Sequence, residues 1–275
     1  MTAVARALHR EEPTAKVLDD HLAFPLAGEQ GTAILARLRS EVPPDLLVAF
    51  SRWVCVRARL PEDIVERAVE DGIRQYVILG AGLDSFAYRR ADLLDRLRVF
   101  EVDHPASQAW KQARLGELGV GVPPNLVFAP VDFETQTLRD GLERAGFDFD
   151  ALAVFSWIGV TMYLTVSAIE ATLATVAECR SGTQIVMTYN VPTPSLDGGA
   201  LGTRNVLARI AADMGEPFVS LFEPAEAEEL LRRMGFEDIV DFGPEEAIQT
   251  YFAGRDDVQI HGAQRLMVAK VAERP

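Results

Sequence analysis

From residue 75 to the C-terminus, short apolar runs alternate with amphipathic segments, and this alternation constrains the fold more than any other feature of the chain. The runs are Gln75–Leu79, Arg98–Val102, Leu126–Val131, Ala151–Trp157, Thr183–Tyr189, Asp238–Phe242 and Arg265–Val271. Helix-patterned segments fall between them at Ser85–Asp95, Ala106–Leu118, Glu134–Ala145, Val166–Cys179 and Pro224–Met234. Such a series of βαβ units predicts an α/β protein: a doubly wound, seven-stranded, Rossmann-like sheet with its ligand crevice at the carboxyl ends of the strands.

The first 60 residues lack this alternation. Helical segments are expected around Thr14–Leu26, Thr32–Ser40 and Asp45–Val56, followed by a helix starting at Pro61 and stopped by Asp71-Gly72. The expected organisation is a helical cover over residues 1–60 and a ligand-binding domain over 61–275. Residues 191–222 form a long insert between the fifth and sixth strands, with Pro192, Pro194 and Gly198-Gly199 and then a helix-like Thr203–Met214. Long connections of this kind commonly serve as lids.

Composition narrows the function classes. With 48% hydrophobic residues in 275, disorder is excluded as the main state. Lys and Arg number 27 against 41 Asp and Glu, a net charge of −14, which argues against nucleic-acid and anionic-membrane partners. Two distant cysteines, Cys55 and Cys179, argue against a zinc site and a disulfide scaffold, and no metal is expected. Met1–Thr14 has no apolar core, and the longest apolar run, Ala151–Leu164, is broken by Ser156, Gly159 and Thr161, short of the roughly 20 residues a membrane span needs. A soluble cytoplasmic protein is expected, monomer or homodimer.

The first strand ends in Gly80-Ala81-Gly82 before a helix, a pattern that lets a ligand approach the backbone and a helix N-terminus. Ser85 stands where the dinucleotide fingerprint has its third glycine, so a pyrophosphate clamp is incomplete. Asp103 ends the second strand, at the distance downstream where a ribose-binding carboxylate falls. Asp132, followed by Phe133, ends the third, where a carboxylate can accept from the amine of adenine and the ring can pack on the base. An isolated Asp at such a place is also a helix N-cap. Taken together, the three strand ends suit an adenosine without a pyrophosphate, which is S-adenosylmethionine (SAM) rather than NAD.

Several stretches make a family resemblance specific: Arg57-Ala58-Arg59, the run Gly72–Arg89, Phe100-Glu101-Val102-Asp103-His104-Pro105 with Lys111, and Ser156–Leu164. Together with Leu18–Ala23, they resemble the leucine carboxyl methyltransferase family, and most closely its bacterial O-methyltransferase branch. The resemblance implies a class I methyltransferase sheet with a reversed final hairpin, natural-product chemistry and SAM as cofactor. It implies that Arg57 binds the methionine carboxylate, that Gly80 lines the cofactor, that Asp103 holds the ribose, and that Asp132 with Phe133 holds the adenine. Many members carry Glu before the glycine of the fourth-strand motif; Ile158 stands there instead, so any contact from that carboxylate is absent.

The acceptor is expected to be a small molecule. A carboxylate is ionised at neutral pH and needs no base, whereas a phenol, near pKa 10, needs one. Candidates for the acceptor side are Tyr163, Tyr189 and His261; Asn190 shares the fifth-strand end, Arg204 lies in the insert, and His21 is a further histidine in the cover. His104, beside the ribose carboxylate, is placed on the cofactor side with Ala81 and Gly82. An NAD(P)-dependent oxidoreductase shares the glycines and Asp103, but its Tyr-x-x-x-Lys pattern is absent: Ser167 and Thr193 stand four residues after Tyr163 and Tyr189. A non-catalytic SAM-binding protein is the third reading.

Overall fold

A computed structural model describes the chain except residues 13–15, 134, 193–197, 214, 216 and 275. Seven strands form one sheet in the order β3-β2-β1-β4-β5-β7-β6. They are β1 (Gln75–Leu79), β2 (Arg98–Asp103), β3 (Leu126–Pro130), β4 (Ala153–Trp157), β5 (Gln184–Asn190), β6 (Phe236–Phe242) and β7 (Gln264–Val271). All neighbours pair parallel except β7, which runs antiparallel to both β5 and β6. The chain reverses its direction of sheet growth between β1 and β4, so the crevice forms above their carboxyl ends.

The helices are α1 (Thr2–Arg10), α2 (Ala23–Glu41), α3 (Pro44–Glu70), α4 (Phe86–Arg89), α5 (Pro105–Glu117), α6 (Leu138–Arg144), α7 (Val166–Ala177), α8 (Gly198–Asp213), α9 (Pro224–Arg233) and α10 (Pro244–Tyr251). Leu138, Leu142, Ile169, Leu173, Leu230 and Leu231 of α6, α7 and α9 pack on one face of the sheet against Val77, Phe100, Phe155 and Met187. Residues of α3, α4 and α10 cover the other face, against Ile78, Val99, Val154 and Val186. Successive strand residues point to opposite faces, so each face draws on alternate positions. Both central strands are buried along their full length. Each large apolar side chain buried this way contributes about 1.5–3 kcal/mol.

The strand expectations hold to within about two residues, but four helical ones change. No helix starts at Pro61; α3 runs unbroken from Pro44 to Glu70 through it. Interior proline costs a helix about 3 kcal/mol, yet the buried face of α3, including Trp53, Val56, Leu60, Ile64 and Val65, holds the helix together by packing. The Ser85–Asp95 helix shrinks to four residues and a 3₁₀ turn, Ala91–Leu93. Asp92 accepts from Arg90, two residues back, at 2.7–2.9 Å, a pairing that a regular helix does not bring face to face. The Glu134–Ala145 helix starts only at Leu138, capped by the Thr137 hydroxyl, which accepts from the Asp140 N–H at 3.1 Å; Glu134 lies outside the described residues. Around Thr14–Leu26 the described residues 16–22 are not helical.

Two helices escape the sequence pattern altogether, α1 and α10. The first packs Ala3, Val4 and Ala5 with Ala27, Leu38, Leu47, Phe50 and Val54 of the other cover helices. Ile210 of α8 joins the same cluster, so the insert and the cover make one roof. A buried polar chain ties this roof to the sheet: Arg6 donates to Asp20 and to the carbonyl of Leu83, both at 2.7 Å. Arg89 lies 3.8 Å from Asp20 and pairs with Glu62. Burial opposes ionisation of Asp20, but Arg6 and Arg89 outweigh it and hold the carboxyl below its usual range. Cys55 and Cys179 are buried and unlinked. Among the described residues no helix is long and apolar enough to cross a membrane, and no group of His, Cys, Asp or Glu is placed to hold a metal.

Candidate active site

A cavity of about 420 Å³ opens above the carboxyl ends of β1, β2, β4 and β5, beneath the roof. This lies within the range of small-molecule sites, roughly 300–1,000 Å³. Its floor is the loop after β1. Gly80 and Gly82 both have positive φ, +65° and +47°, which side chains disfavour. A Cβ on Gly80 would sit 2.4 Å from Val160 Cγ2, so glycine is also required there by the approach of the turn after β4. The N–H groups of Gly80 and Ala81 donate to the Val102 carbonyl at 2.8 and 3.1 Å, which fixes the loop against β2.

Asp103 closes β2 and lines the cavity. Its two carboxylate oxygens accept the N–H groups of Gly82 at 2.5 Å and of His104 at 2.7 Å. The carboxylate is therefore oriented, and each oxygen retains a lone pair for a ligand hydroxyl. Two residues earlier on the same strand, Glu101 is fully buried and accepts from Lys111 of α5 at 2.6 Å. Burial pushes the Glu101 carboxyl up to about 7, against the opposing pull of the Lys111 ammonium.

Arg57 supplies the most informative charge. It projects from α3 into the cavity wall and is 2% exposed, yet its Nε and Nη1 have no hydrogen-bond partner. Burial pushes the guanidinium down to about 10, so it remains cationic at neutral pH. Two more buried polar atoms in the wall also have no partner, Trp53 Nε1 and Asn190 Oδ1. Buried polar groups in native proteins are nearly always paired. Three residues that line one hollow carry such atoms, and the Arg57 cation among them suits a ligand with an anionic end.

The cavity brings together Arg57, Gly80, Ala81, Gly82, Asp103, Tyr163 and His261. Tyr163 ends a 3₁₀ turn after β4, with its ring 5.8 Å from that of Phe218; His261 lies in the loop before β7. Arg204 of α8 lines the wall as well. Five candidate residues fall outside the wall. His104 is exposed, and its Nδ1 caps α5 by accepting from the Ala106 N–H at 3.2 Å. Asp132 and Phe133 follow β3, where Pro130 pairs with Asp103; the Phe133 ring is 58% exposed. Tyr189 points away: its ring is buried on the opposite face of the sheet and its hydroxyl donates to Asp241 at 2.8 Å. Strand alternation explains this, because of two successive residues only one can face α3, and that one is Asn190. His21 is exposed and does not line the cavity.

Trp53 was missed from sequence. The signal was available, since Trp53 and Arg57 are four residues apart on a helix and so share a face.

Solved structures share this architecture. A "putative methyltransferase" from Thermobifida fusca YX aligns with a TM-score of 0.61 at 18% identity, covering 90% of this chain and 92% of that one. A DUF574-family protein from Streptomyces avermitilis aligns at 0.55 and 19%, covering 98% and 97%. The fold is that of the class I SAM-dependent methyltransferases. The leucine carboxyl methyltransferase family model matches residues 1–177. The Bacillus subtilis protein named "Putative S-adenosyl-L-methionine-dependent methyltransferase YktD" is 30% identical over 279 residues, 94% of this chain and 91% of that protein. A Frankia alni protein of the same description, FRAAL5401, is 35% identical over 218 residues, 77% and 69% of the two chains. The chain belongs to the leucine carboxyl methyltransferase family, and is an enzyme of the SAM-dependent methyltransferase class.

Proposed function

We propose that the chain transfers the methyl group of SAM to an oxygen, carboxylate or hydroxyl, of a small molecule, in the manner of natural-product O-methylation. The observation that carries this reading is the buried Arg57 guanidinium with two unpartnered nitrogens in the same cavity wall as Asp103. Arg57 would hold the methionine carboxylate, the backbone of Gly80, Ala81 and Gly82 would border the cofactor, and Asp103 would accept the ribose hydroxyls. Asp132 and Phe133 enter only as neighbours on the adjoining strand end, toward which an adenine leaving Asp103 would extend. His104 serves this site through its backbone N–H on Asp103 rather than through its ring.

When bound, the sulfonium supplies a methyl carbon already primed for displacement, so the chain's own task is alignment. Holding two reactants in line can lower a barrier by about 7–11 kcal/mol. Tyr163 and His261 border the part of the cavity left for the acceptor. With a hydroxyl acceptor, His261 would be the residue placed to take its proton; with a carboxylate none needs to move. The roof of α1, α3 and α8 would exclude water. The net charge of −14 supports a small-molecule acceptor rather than a nucleic acid or anionic membrane, in a cytoplasmic monomer or homodimer.

Calorimetric titration with SAM, S-adenosylhomocysteine and NADH tests the cofactor, and label from methyl-labelled SAM, followed into acids and phenols, tests the transfer. Sulfonium and thioether binding without NADH binding is expected; the reverse would favour an oxidoreductase. Asp103→Ala is expected to weaken S-adenosylhomocysteine binding by about 1–3 kcal/mol, the scale of lost hydrogen bonds to a charged group. Unchanged affinity in the same titration would remove Asp103 from the ribose.

A further inference from the structure

The motif around the end of β2 holds two ionisable residues that no cofactor contact uses, Glu101 and Lys111. We propose that this buried pair reads the charge of the cofactor: with Glu101 ionised, the site favours the sulfonium of SAM over the neutral thioether of S-adenosylhomocysteine. The inference rests on the methyltransferase reading and deepens it.

Glu101 stands two residues before Asp103 on β2, so both project from one face of the sheet, about 7 Å apart along the strand. Asp103 lines the cavity, and Glu101 lies beneath it, fully buried. Glu101 Oε2 accepts from Lys111 Nζ of α5 at 2.6 Å, while Oε1 has no hydrogen-bond partner. On α4 the Tyr88 hydroxyl is also buried without a partner, and its ring lies 5.7 Å from the Lys111 ammonium. In the flanking strands Glu101 pairs with Ile78 of β1 and Phe128 of β3, which carry no charge. The charged groups acting on it are Lys111 of α5, Asp84 of the glycine loop and Asp103 of its own strand.

Together these four residues hold three carboxylates and one ammonium. Burial, with the like charges of Asp84 and Asp103, raises the Glu101 carboxyl to about 7 against the pull of Lys111. A pair kept for packing alone needs no such imbalance, and two apolar side chains would serve as well. SAM and S-adenosylhomocysteine share the adenosine and the amino-acid end; they differ by one methyl group and one positive charge at sulfur. A cation entering the cavity above Asp103 offsets the surplus of negative charge and favours ionised Glu101. By linkage the preference is reciprocal, and ionised Glu101 favours the cation. Two opposite unit charges about 10–15 Å apart, at an effective dielectric of about 20, favour each other by roughly five- to fifteenfold. The preference is present above about pH 7, where Glu101 is ionised without help. It is lost as pH falls and the carboxyl is protonated in both complexes. At neutral pH and above it therefore eases exchange of spent cofactor for fresh.

The test is calorimetric titration of the whole protein with SAM and with S-adenosylhomocysteine between about pH 5.5 and about pH 8.5, in buffers of different ionisation enthalpy. In wild type the preference for SAM is expected to rise with pH by roughly five- to fifteenfold. On the acid side of neutrality SAM should release about half a proton more than the thioether. Glu101→Gln is expected to flatten the ratio of the two affinities and to abolish the difference in protons. Titration of the ligands' own amino groups is common to wild type and variants, so it drops out of the comparison. Glu101→Leu with Lys111→Met removes both charges and keeps an apolar filling; it should give the same flat ratio even where the single variant folds poorly. Lys111→Met alone removes the opposing pull and should move the midpoint of the change to higher pH. Equal proton release by the two ligands in wild type would overturn the proposal. So would a ratio that varies with pH alike in wild type and both Glu101 variants, whatever affinity they lose for both ligands together. Wild-type protein that binds neither ligand is a different failure, which removes the methyltransferase reading itself.

Discussion

Arg57→Met is expected to weaken S-adenosylhomocysteine binding by roughly thirtyfold or more while raising the melting temperature of the ligand-free protein. Both effects come from one fact: the guanidinium is buried with two nitrogens unpartnered. In the free protein this is a desolvated cation without a matching anion, and methionine fills nearly the same volume without that penalty. Recovering each kcal/mol of it should raise the melting temperature by roughly 2–4 °C in a chain of this size. In the complex the same guanidinium receives a carboxylate, and truncating one member of a buried, hydrogen-bonded charge pair costs about 2–5 kcal/mol, roughly thirtyfold to several thousandfold in affinity. Arg57→Lys keeps the charge but loses the planar fork, and should recover only part of the binding. Thermal shift with and without ligand reads both quantities. A variant that loses stability and keeps its ligand shift would show that Arg57 is structural.

Lys111→Met should destabilise the fold by about 3–5 kcal/mol, the cost of leaving a buried charge without its partner. Glu101 and Lys111 are essentially inaccessible; Lys111 donates to Glu101 Oε2, and Oε1 has no hydrogen-bond partner. Above them the Tyr88 ring lies 5.7 Å from the Lys111 ammonium. Replacing both members, Glu101→Leu with Lys111→Met, should restore most of the loss, because well-packed apolar pairs often equal buried ion pairs. The pH dependence has a definite sign. Glu101 titrates at about 7 in the fold, against 4.5 as its ordinary value, because of burial. The folded chain therefore holds an extra proton between those values, and this group's contribution to stability falls as pH rises from about 4.5 through 7. Glu101→Gln removes that slope. Denaturant melts across this window check it; stability that climbs with pH equally in wild type and Glu101→Gln would contradict it. Because Glu101 lies two residues from Asp103 on one face of β2, loosening this pair should also weaken cofactor binding.

Much of this site was legible because strands and loops announce themselves locally. Gly80-Ala81-Gly82 follows an apolar run, and Asp103 ends the next; backbone need and chain direction place both at the crevice. The reversed final hairpin was not legible in this way; it was implied only by the family resemblance that motifs such as Arg57 to Arg89 carry. What was not legible depends on contacts between distant segments. Helix α1 carries few large apolar residues and is held by small side chains and by Arg6 reaching Asp20 and Leu83. Pro61 reads as a helix start, and only the packing of both halves of α3 shows it to be interior. Tyr189 looks like a rim residue until strand alternation is applied to it and Asn190 together. Trp53 belongs to the segment that reads simply as cover, and its place in the wall depends on how α3 seats on the sheet.

The decisive geometry is where the amino-acid end of the methyl donor lies. A crystal structure of the complex with S-adenosylhomocysteine measures this directly. The predicted result is a ligand carboxylate within hydrogen-bond distance of Arg57 Nε or Nη1, with the ribose hydroxyls on Asp103. A complex with the nucleoside outside the cavity above β1 and β2, or with Arg57 still unpartnered, would contradict it.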